Sequence, residues 1–290
     1  MPNHATHRAG EALGRLRPVA SRQHPLVKEL RRAFAEGAAT SDGHCAVEGA
    51  HLVEEAIRSG LRLKAAFFSD SARERATKLI PQLSAHTEAL LLPDDVFSSA
   101  VLTGAPQGVA ALAKTKNFSL DDVLRPPEPL VVIAGGIQDP GNLGTMIRTA
   151  EAFGGSGLIA TENTVNHFNP KVVRASAGSV FRLPIIQLAL DAALSELRRR
   201  GLRLVATSSH KGDSLPDAAL IAPLGLLIGN EGAGLPKTAL AAVDAVVRIP
   251  HSERVDSLNA GVAAAVVLYE VARQRSTSTT ETQNHREKHG

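Results

Sequence analysis

The sequence predicts an α/β protein of two units, the second built on a mostly parallel sheet covered on both faces. Three observations carry this reading. Short apolar runs alternate with helical patterns across residues 22–275. In the second half these runs are nearly continuous, as in strands buried on both faces. A break at Arg125-Pro126-Pro127-Glu128-Pro129 is too proline-rich for a helix or an inner strand.

Taken in chain order, residues 1–21 are polar, basic and unpatterned, and read as a flexible arm. Residues 22–114 form the first unit. Leu52, Val53, Ala56 and Ile57 recur at helical spacing and Gly60 stops the helix. LRLKAAFF (61–68), ALLL (89–92) and GVAALA (108–113) read as strands, and Pro93-Asp94-Asp95 opens a further helix. Residues 115–129 are the expected linker. Residues 130–275 form the second unit, with strands at LVVIAG (130–135), GLIAT (157–161), LPII (183–186), LRLVAT (202–207), LGLLIG (224–229) and AVVRIP (245–250). Leu143, Met146, Ile147, Ala150 and Phe153 line one helical face that ends at Gly154-Gly155. Leu190, Ala193, Leu194 and Leu197 repeat the pattern before Gly201. Residues 276–290 hold no apolar side chain and predict a disordered tail.

Composition bounds the function. Hydrophobic residues make up 43% of 290, enough for one or two cores, which excludes wholesale disorder. The net charge of +3 hides an asymmetry: residues 1–32 carry seven Lys/Arg against Glu11 and Glu29, leaving the remainder near −2. A basic leader suits a polyanion partner, although charge runs are also ordinary solvated surface. A single cysteine, Cys45, excludes an internal disulfide framework and a Cys-rich zinc site, and no metal is expected. The same cysteine usage suits a reducing cytoplasm. The run Ala260 to Leu268 is about half the ~20 residues of a membrane span, so no membrane partner is expected. Aromatics are 3%, which argues against base recognition by stacking on many rings.

Three segments lie at the C-terminal ends of predicted strands, the edge where open α/β sheets bind ligands. In GGIQDPGNLGTMIRTAEAFG (135–154), Pro140-Gly141-Asn142 makes a tight turn and Asn142 is placed to cap the helix from Leu143. Free N–H groups at that start favour an anion. Arg148 sits two turns on, off the apolar face, either solvated or functional. In LLIGNEGAGLP (226–236), Gly229, Gly232, Ala233 and Gly234 allow close backbone approach to a ligand, or merely connect strand to helix. In RIPHSERVDSLNAGVAAAVVLYEVARQR (248–275), Asp256 or Ser257 is expected to cap a helix that is small and apolar all round from Ala260 to Leu268. Such a helix is buried or packs on another chain. Ser257 and Asn259 then lie at a buried mouth and need partners. Ser208, Ser209 and His210 read as a turn. No P-loop, dinucleotide fingerprint, H-E-x-x-H or nucleophile elbow is present.

In this order, D-P-G-N-L-G-x-x-I-R-T-A, I-G-N-E-G-x-G-L, and I-P ahead of S-L-N resemble the three motifs of the SpoU/TrmH family of RNA ribose 2′-O-methyltransferases, in the SPOUT superfamily. NPKVVRASAGSVFRLP (169–184) is also similar to the family's intervening stretch. VEGAHLVEEAI and PQGVAAL in the first unit resemble the ribosomal-protein-like substrate-binding domain that often precedes it. The resemblance implies a trefoil knot, bound S-adenosylmethionine, an RNA substrate (ribosomal first, transfer RNA second) and a homodimer. Carried over by position, Gly229, Ile249 and Leu258 wrap the cofactor through backbone contacts. Glu231, Ser257 and Asn259 support its pocket, Asn142 and Arg148 face the ribose, and Lys171 and Arg174 contact RNA. A free guanidinium holds its proton too tightly to act as a base. Arg148 is therefore expected to orient and stabilise a developing 2′-alkoxide. His251-Ser252-Glu253-Arg254 departs from the family's usual Met and Gly after Ile-Pro. Two readings compete: a non-catalytic RNA-binding or ribosome-assembly protein on the same fold, and a nucleotide-dependent oxidoreductase, against which the missing glycine fingerprint argues.

Overall fold

Two sheets organise the chain in a computed structural model that describes residues 14–221, 223–230 and 234–287. The first belongs to a unit of residues up to 117 joined by residues 168–182; the second to residues 118–167 and 183 onward.

The first unit carries β1 (Leu16–Pro18), β2 (His44–Glu48), β3 (Leu63–Ser69), β4 (Glu88–Leu92) and β5 (Val109–Lys114) in the order β1-β4-β3-β5-β2. Parallel pairs β1–β4 and β3–β4 meet antiparallel pairs β3–β5 and β2–β5. Helices α1 (Pro25–Glu36) and α4 (Asp94–Val101) pack Leu30, Phe34 and Phe97 over Phe67, Leu90 and Leu112. Each fully buried side chain of this size stabilises by roughly 1.5–3 kcal/mol before entropy is counted. Helices α2 (Ala50–Arg58) and α3 (Arg73–Leu79) complete the unit.

Part of the expected flexible arm is built into this sheet. Residues 1–13 lie outside the described residues, but Leu16–Pro18 pairs with β4. The Arg15 guanidinium donates to the carbonyl oxygens of Ile80, Leu83, Ser84 and Thr87 at 2.7–3.4 Å. Arg17 pairs with Glu88 at 3.1 Å and Arg22 with Asp95 at 2.7 Å. Three residues of strand within a basic run carry no periodic signal, which is why the strand is absent from the sequence reading.

Residues 168–182, expected within the second domain, pack with the first unit. Asn169 caps α5 (Pro170–Ala175) by accepting from the Lys171 N–H at 2.9 Å. Arg174 pairs at 3.1 Å with the buried carboxylate of Glu48, which also accepts from the Thr103 hydroxyl and the Gln107 N–H. Arg182 pairs with Glu55 at 2.8 Å.

The second unit holds β6 (Leu130–Gly135), β7 (Gly157–Ala160), β8 (Ile185–Gln187), β9 (Arg203–Thr207), β10 (Asp213–Ser214), β11 (Leu224–Gly229) and β12 (Ala245–Arg248). The order is β10-β12-β9-β11-β6-β7-β8, and every pair is parallel. In the numbering by unit, α6 (Pro140–Ala152), α7 (Leu190–Arg199), α8 (Lys237–Ala242) and α9 (Ala260–Glu287) cover it. The expected linker is partly absorbed here. Ser119 and Asp122 form a capping box around the turn Leu120–Val123, and Val123 is fully buried.

Two helix starts differ from expectation. Asp139, not Asn142, caps α6: its carboxylate accepts from the Asn142 N–H at 2.8 Å, ahead of Pro140 at the first helical position. Proline there lacks only an N–H that would go unpaired anyway. Asn259, not Asp256 or Ser257, caps α9, accepting from the Val262 N–H at 3.1 Å. The helix also runs through 276–287, where a disordered tail was expected. Ser276 and Thr277 donate their hydroxyls back to the Arg273 carbonyl, so polar side chains there accompany the backbone ladder rather than break it.

α9 lies directly on α6. A Cβ at Gly261 would stand 3.1 Å from Thr145 Cβ and 3.3 Å from Asn142 Cα. Gly261→Leu is therefore expected to destabilise by about 1–3 kcal/mol through overpacking, read as a lower urea midpoint. Cys45 is fully buried in β2, and burial pushes its thiol up to about 12. The native protein should leave Cys45 unlabelled by a thiol reagent at pH 8 and react on unfolding; prompt labelling of the native protein would contradict the burial.

Candidate active site

β9, β11 and β12 are neighbours in the sheet, and a cavity of about 210 Å³ opens at their C-terminal ends. Thr207 closes β9, Gly229 closes β11, and Ile249 follows β12. All three line the cavity, with Leu235, Ser257 and Leu258.

Two glycines set the local geometry. Gly229 and Gly135 face each other in the β11–β6 register. A Cβ on Gly229 would lie 2.8 Å from Leu235 Cγ and 3.0 Å from the Gly234 carbonyl carbon. One on Gly135 would lie 3.2 Å from Leu235 Cδ2 and 3.1 Å from the Ile228 oxygen. Leu235 thus sits where two side chains are missing. The loop between is closed by the Gly234 N–H donating to the Asn230 carbonyl at 3.0 Å. The Asn230 side-chain amide donates to the Gly136 carbonyl at 2.8 Å, tying this loop to the start of the α6 segment.

No Lys, Arg, Asp or Glu lines this cavity among the described residues. Its polar groups are hydroxyls, an amide and two imidazoles, and its remainder is aliphatic or backbone. His251 Nδ1 lies 2.7 Å from the Ile249 carbonyl. That oxygen only accepts, so Nδ1 is assigned the proton in this contact. His210 borders the same cavity, following the Ser208 turn in which Ser208 Oγ accepts from the His210 and Lys211 N–H groups.

Four of the expected cofactor residues, Gly229, Ile249, Ser257 and Leu258, come together here. Glu231 lies outside the described residues. Asn259 does not line the cavity; it is exposed and spends its side-chain oxygen on the α9 cap rather than on a buried amide contact. Asn142 is buried beneath α9, beside Gly261. Arg148 is exposed on α6 with no partner among the described residues. Neither borders the cavity. Lys171 is exposed, and Arg174 is half-exposed while ion-paired with Glu48. Thr207 and Leu240 also border the cavity, as does His251 of the segment that departs from the family pattern. The sequence signal for Thr207 and His251 is position, at or just beyond a strand end, whereas Leu240 within α8 carries none.

On the other side of β11 a second cavity of about 340 Å³ opens at the ends of β6 and β7. Asn230, Gly234 and Leu235 line both cavities and so stand between them.

Among the described residues, no cluster of three His, Cys, Asp or Glu is placed to hold a metal, and no helix is long and apolar enough to cross a membrane.

Comparison with known proteins finds two family models along the chain. Residues 129–269 match the SpoU rRNA Methylase family, and residues 25–111 match the MRM3-like substrate binding domain. An uncharacterized tRNA/rRNA methyltransferase of Synechocystis is 34% identical over 267 residues, covering 90% of this chain and 96% of that one. A 23S rRNA (guanosine(2553)-2′-O)-methyltransferase of Bacillus subtilis is 30% identical over 254 residues, covering 88% and 98%. The structure of an AdoMet-bound rRNA methyltransferase from Sinorhizobium meliloti superposes with a TM-score of 0.77 at 31% identity, covering 90% of this chain and 98% of that one. The SpoU methyltransferase AviRb of Streptomyces viridochromogenes, in complex with AdoMet, gives 0.77 at 28% identity, covering 87% and 98%.

Proposed function

The chain belongs to the SpoU rRNA Methylase family, and from that premise we propose that it transfers a methyl group from S-adenosylmethionine to a ribose 2′-hydroxyl of ribosomal RNA in the cytoplasm. The observation that carries this reading is the cavity at the ends of β9, β11 and β12, where Gly229, Ile249, Ser257 and Leu258 converge. Its donor set fits the cofactor. Backbone and aliphatic walls suit an adenine ring and a methionine chain, and the Ser257 hydroxyl and Asn230 amide suit a ribose and an amino-acid head group. When bound, the sulfonium supplies an electrophilic methyl carbon.

This chain's residues then have two tasks. The first is alignment, since holding a 2′-oxygen in line with the methyl is worth up to about 7–11 kcal/mol of barrier in the best cases. The second is charge stabilisation as the hydroxyl proton leaves. Arg148, a guanidinium with no partner among the described residues, is suited to the second through a forked donor geometry. Asn142, held rigidly under α9, is suited to supporting the turn that precedes it.

A homodimer accounts for why Arg148 stands apart from the cavity of its own chain. α9 exposes Val262 (49%), Val266 (36%) and Tyr269 (56%) at one helical spacing, and Tyr269 meets Phe153 at the end of α6 edge-to-face at 5.8 Å. A second copy covering this stripe brings one α6 towards the other chain's site. Lys171 and the first unit supply further phosphate contacts.

Labelled S-adenosylmethionine, offered with unmodified ribosomal and transfer RNA separately, tests the reaction. Label at a ribose 2′-oxygen of ribosomal RNA is the expected result. Label in transfer RNA alone overturns the substrate, and none in either overturns catalysis. Arg148→Ala should lower kcat by at least about 100-fold while cofactor affinity by calorimetry stays nearly unchanged. Arg148→Lys should restore little, because an ammonium lacks the fork; near-normal turnover of the alanine variant sinks the assignment.

A further inference from the structure

The second cavity, on the far side of the β11 loop, is used by nothing described so far. Its floor is Thr161 and its flanks are the aliphatic side chains of Leu190 and Leu235. Its rim carries three polar side chains: Gln138 after β6, and Glu162 and Asn163 after β7. Glu162 is fixed in place, because its Oε2 accepts from the Leu190 N–H at 2.9 Å, at the start of the ten-residue helix α7. Oε1 has no partner among the described residues. Asn163 holds a left-handed backbone, φ 63°, a conformation that few side chains adopt and that Asn tolerates. The Gln138 and Asn163 amides likewise have no partner among the described residues.

We propose that this cavity receives the base of the nucleotide to be methylated, turned out of its stack, and that Glu162 selects guanine. The inference rests on the methyltransferase reading above. A flat ring needs aliphatic faces, which Leu190 and Leu235 offer, and an edge partner, which the rim offers. A carboxylate accepts hydrogen bonds only. Guanine presents two adjacent N–H donors, N1–H and the 2-amino group, to one such acceptor pair. Cytosine and adenine each set a ring-nitrogen acceptor beside their amino group, and uracil flanks its single N–H with two carbonyls, so each brings a lone pair against Glu162. The Gln138 or Asn163 amide can donate to guanine O6. No Lys or Arg lines this cavity among the described residues, so the carboxylate is not already claimed within it. Asn230, Gly234 and Leu235 wall both cavities, so a nucleotide with its base here carries its ribose along the partition towards the cofactor site.

The test uses the full chain loaded with S-adenosylhomocysteine and titrated with the four nucleoside 5′-monophosphates. Guanosine monophosphate should bind about tenfold or more tighter than the other three. Glu162→Gln keeps an oxygen for the Leu190 N–H but loses the paired acceptor, so it should abolish that preference and leave S-adenosylmethionine affinity unchanged. Equal binding of the four, no binding of guanosine monophosphate, or a preference that survives in Glu162→Gln overturns the proposal. In methylated ribosomal RNA digested to nucleosides, the label should lie in 2′-O-methylguanosine; label in another nucleoside also overturns it. A chain that fails to bind S-adenosylmethionine refutes the methyltransferase reading instead, while the nucleotide titration still decides what this cavity takes.

Discussion

The Gly135–Gly229 pair, filled by one leucine, is the constraint on which the site depends. Strands normally fill the space above a sheet with their own side chains. Here two neighbouring strands end without any, and Leu235 folds back into the gap from beyond the loop. Side chains on the two strands would drive Leu235 out, and with it the wall between the two cavities. The Asn230 amide, donating to the Gly136 carbonyl, fixes the same loop from the opposite side. The two motifs that sequence separates by about 90 residues are thus one structural object. Neither cavity keeps its shape without it.

A second close approach has the same character. Gly261 lets α9 rest on the first turns of α6, and Asn142 is buried in that contact. Asn142 therefore gains its fixed position from helix packing rather than from capping its own helix. Arg148 projects from the same α6, so its location is set by a helix held at both its start, through Asp139, and its flank, through Gly261. Rigid support of this kind matters because misplacement by about 1 Å costs on the order of 100-fold in rate where alignment is the main catalytic effect.

The second sheet was legible because its strands are apolar on both faces and its helices carry long periodic stripes. Leu130–Gly135 and Leu224–Gly229 coincide with the expected runs, and the helices with apolar faces at Leu143 and Leu190 form where the spacing puts them. The elements that escaped are those whose cause is remote. β1 exists because β4 lies open beside it, not because Leu16-Arg17-Pro18 favours a strand. Residues 168–182 pack with the first unit because Arg174 and Arg182 find Glu48 and Glu55, partners more than 120 positions away. In the site, Gly229, Ile249, Ser257 and Leu258 line one cavity, whereas Asn259 caps α9 beside it. A capping asparagine and a pocket asparagine have the same sequence signature, and only the 3.1 Å contact with the Val262 N–H separates them.

Charge shows the limit of counting most clearly. The first 32 residues have a surplus of five positive charges, which as a tally describes a polyanion-binding arm. Within the described part, Arg15 is spent on four carbonyl oxygens, Arg17 and Arg22 on carboxylates, and Arg31 on the Ser99 carbonyl and hydroxyl. A guanidinium engaged by backbone carbonyls keeps its charge but has fewer donors to offer a phosphate. Exposed pairs such as Arg22–Asp95 contribute little to stability, yet each places a carboxylate beside a cation and weakens the local field that a phosphate meets. Lys171 and Arg148, by contrast, are exposed and have no such partner among the described residues. The electrostatic surface that matters to an RNA is therefore defined by which cations the fold leaves unengaged, a property that appears only once their long-range partners are known.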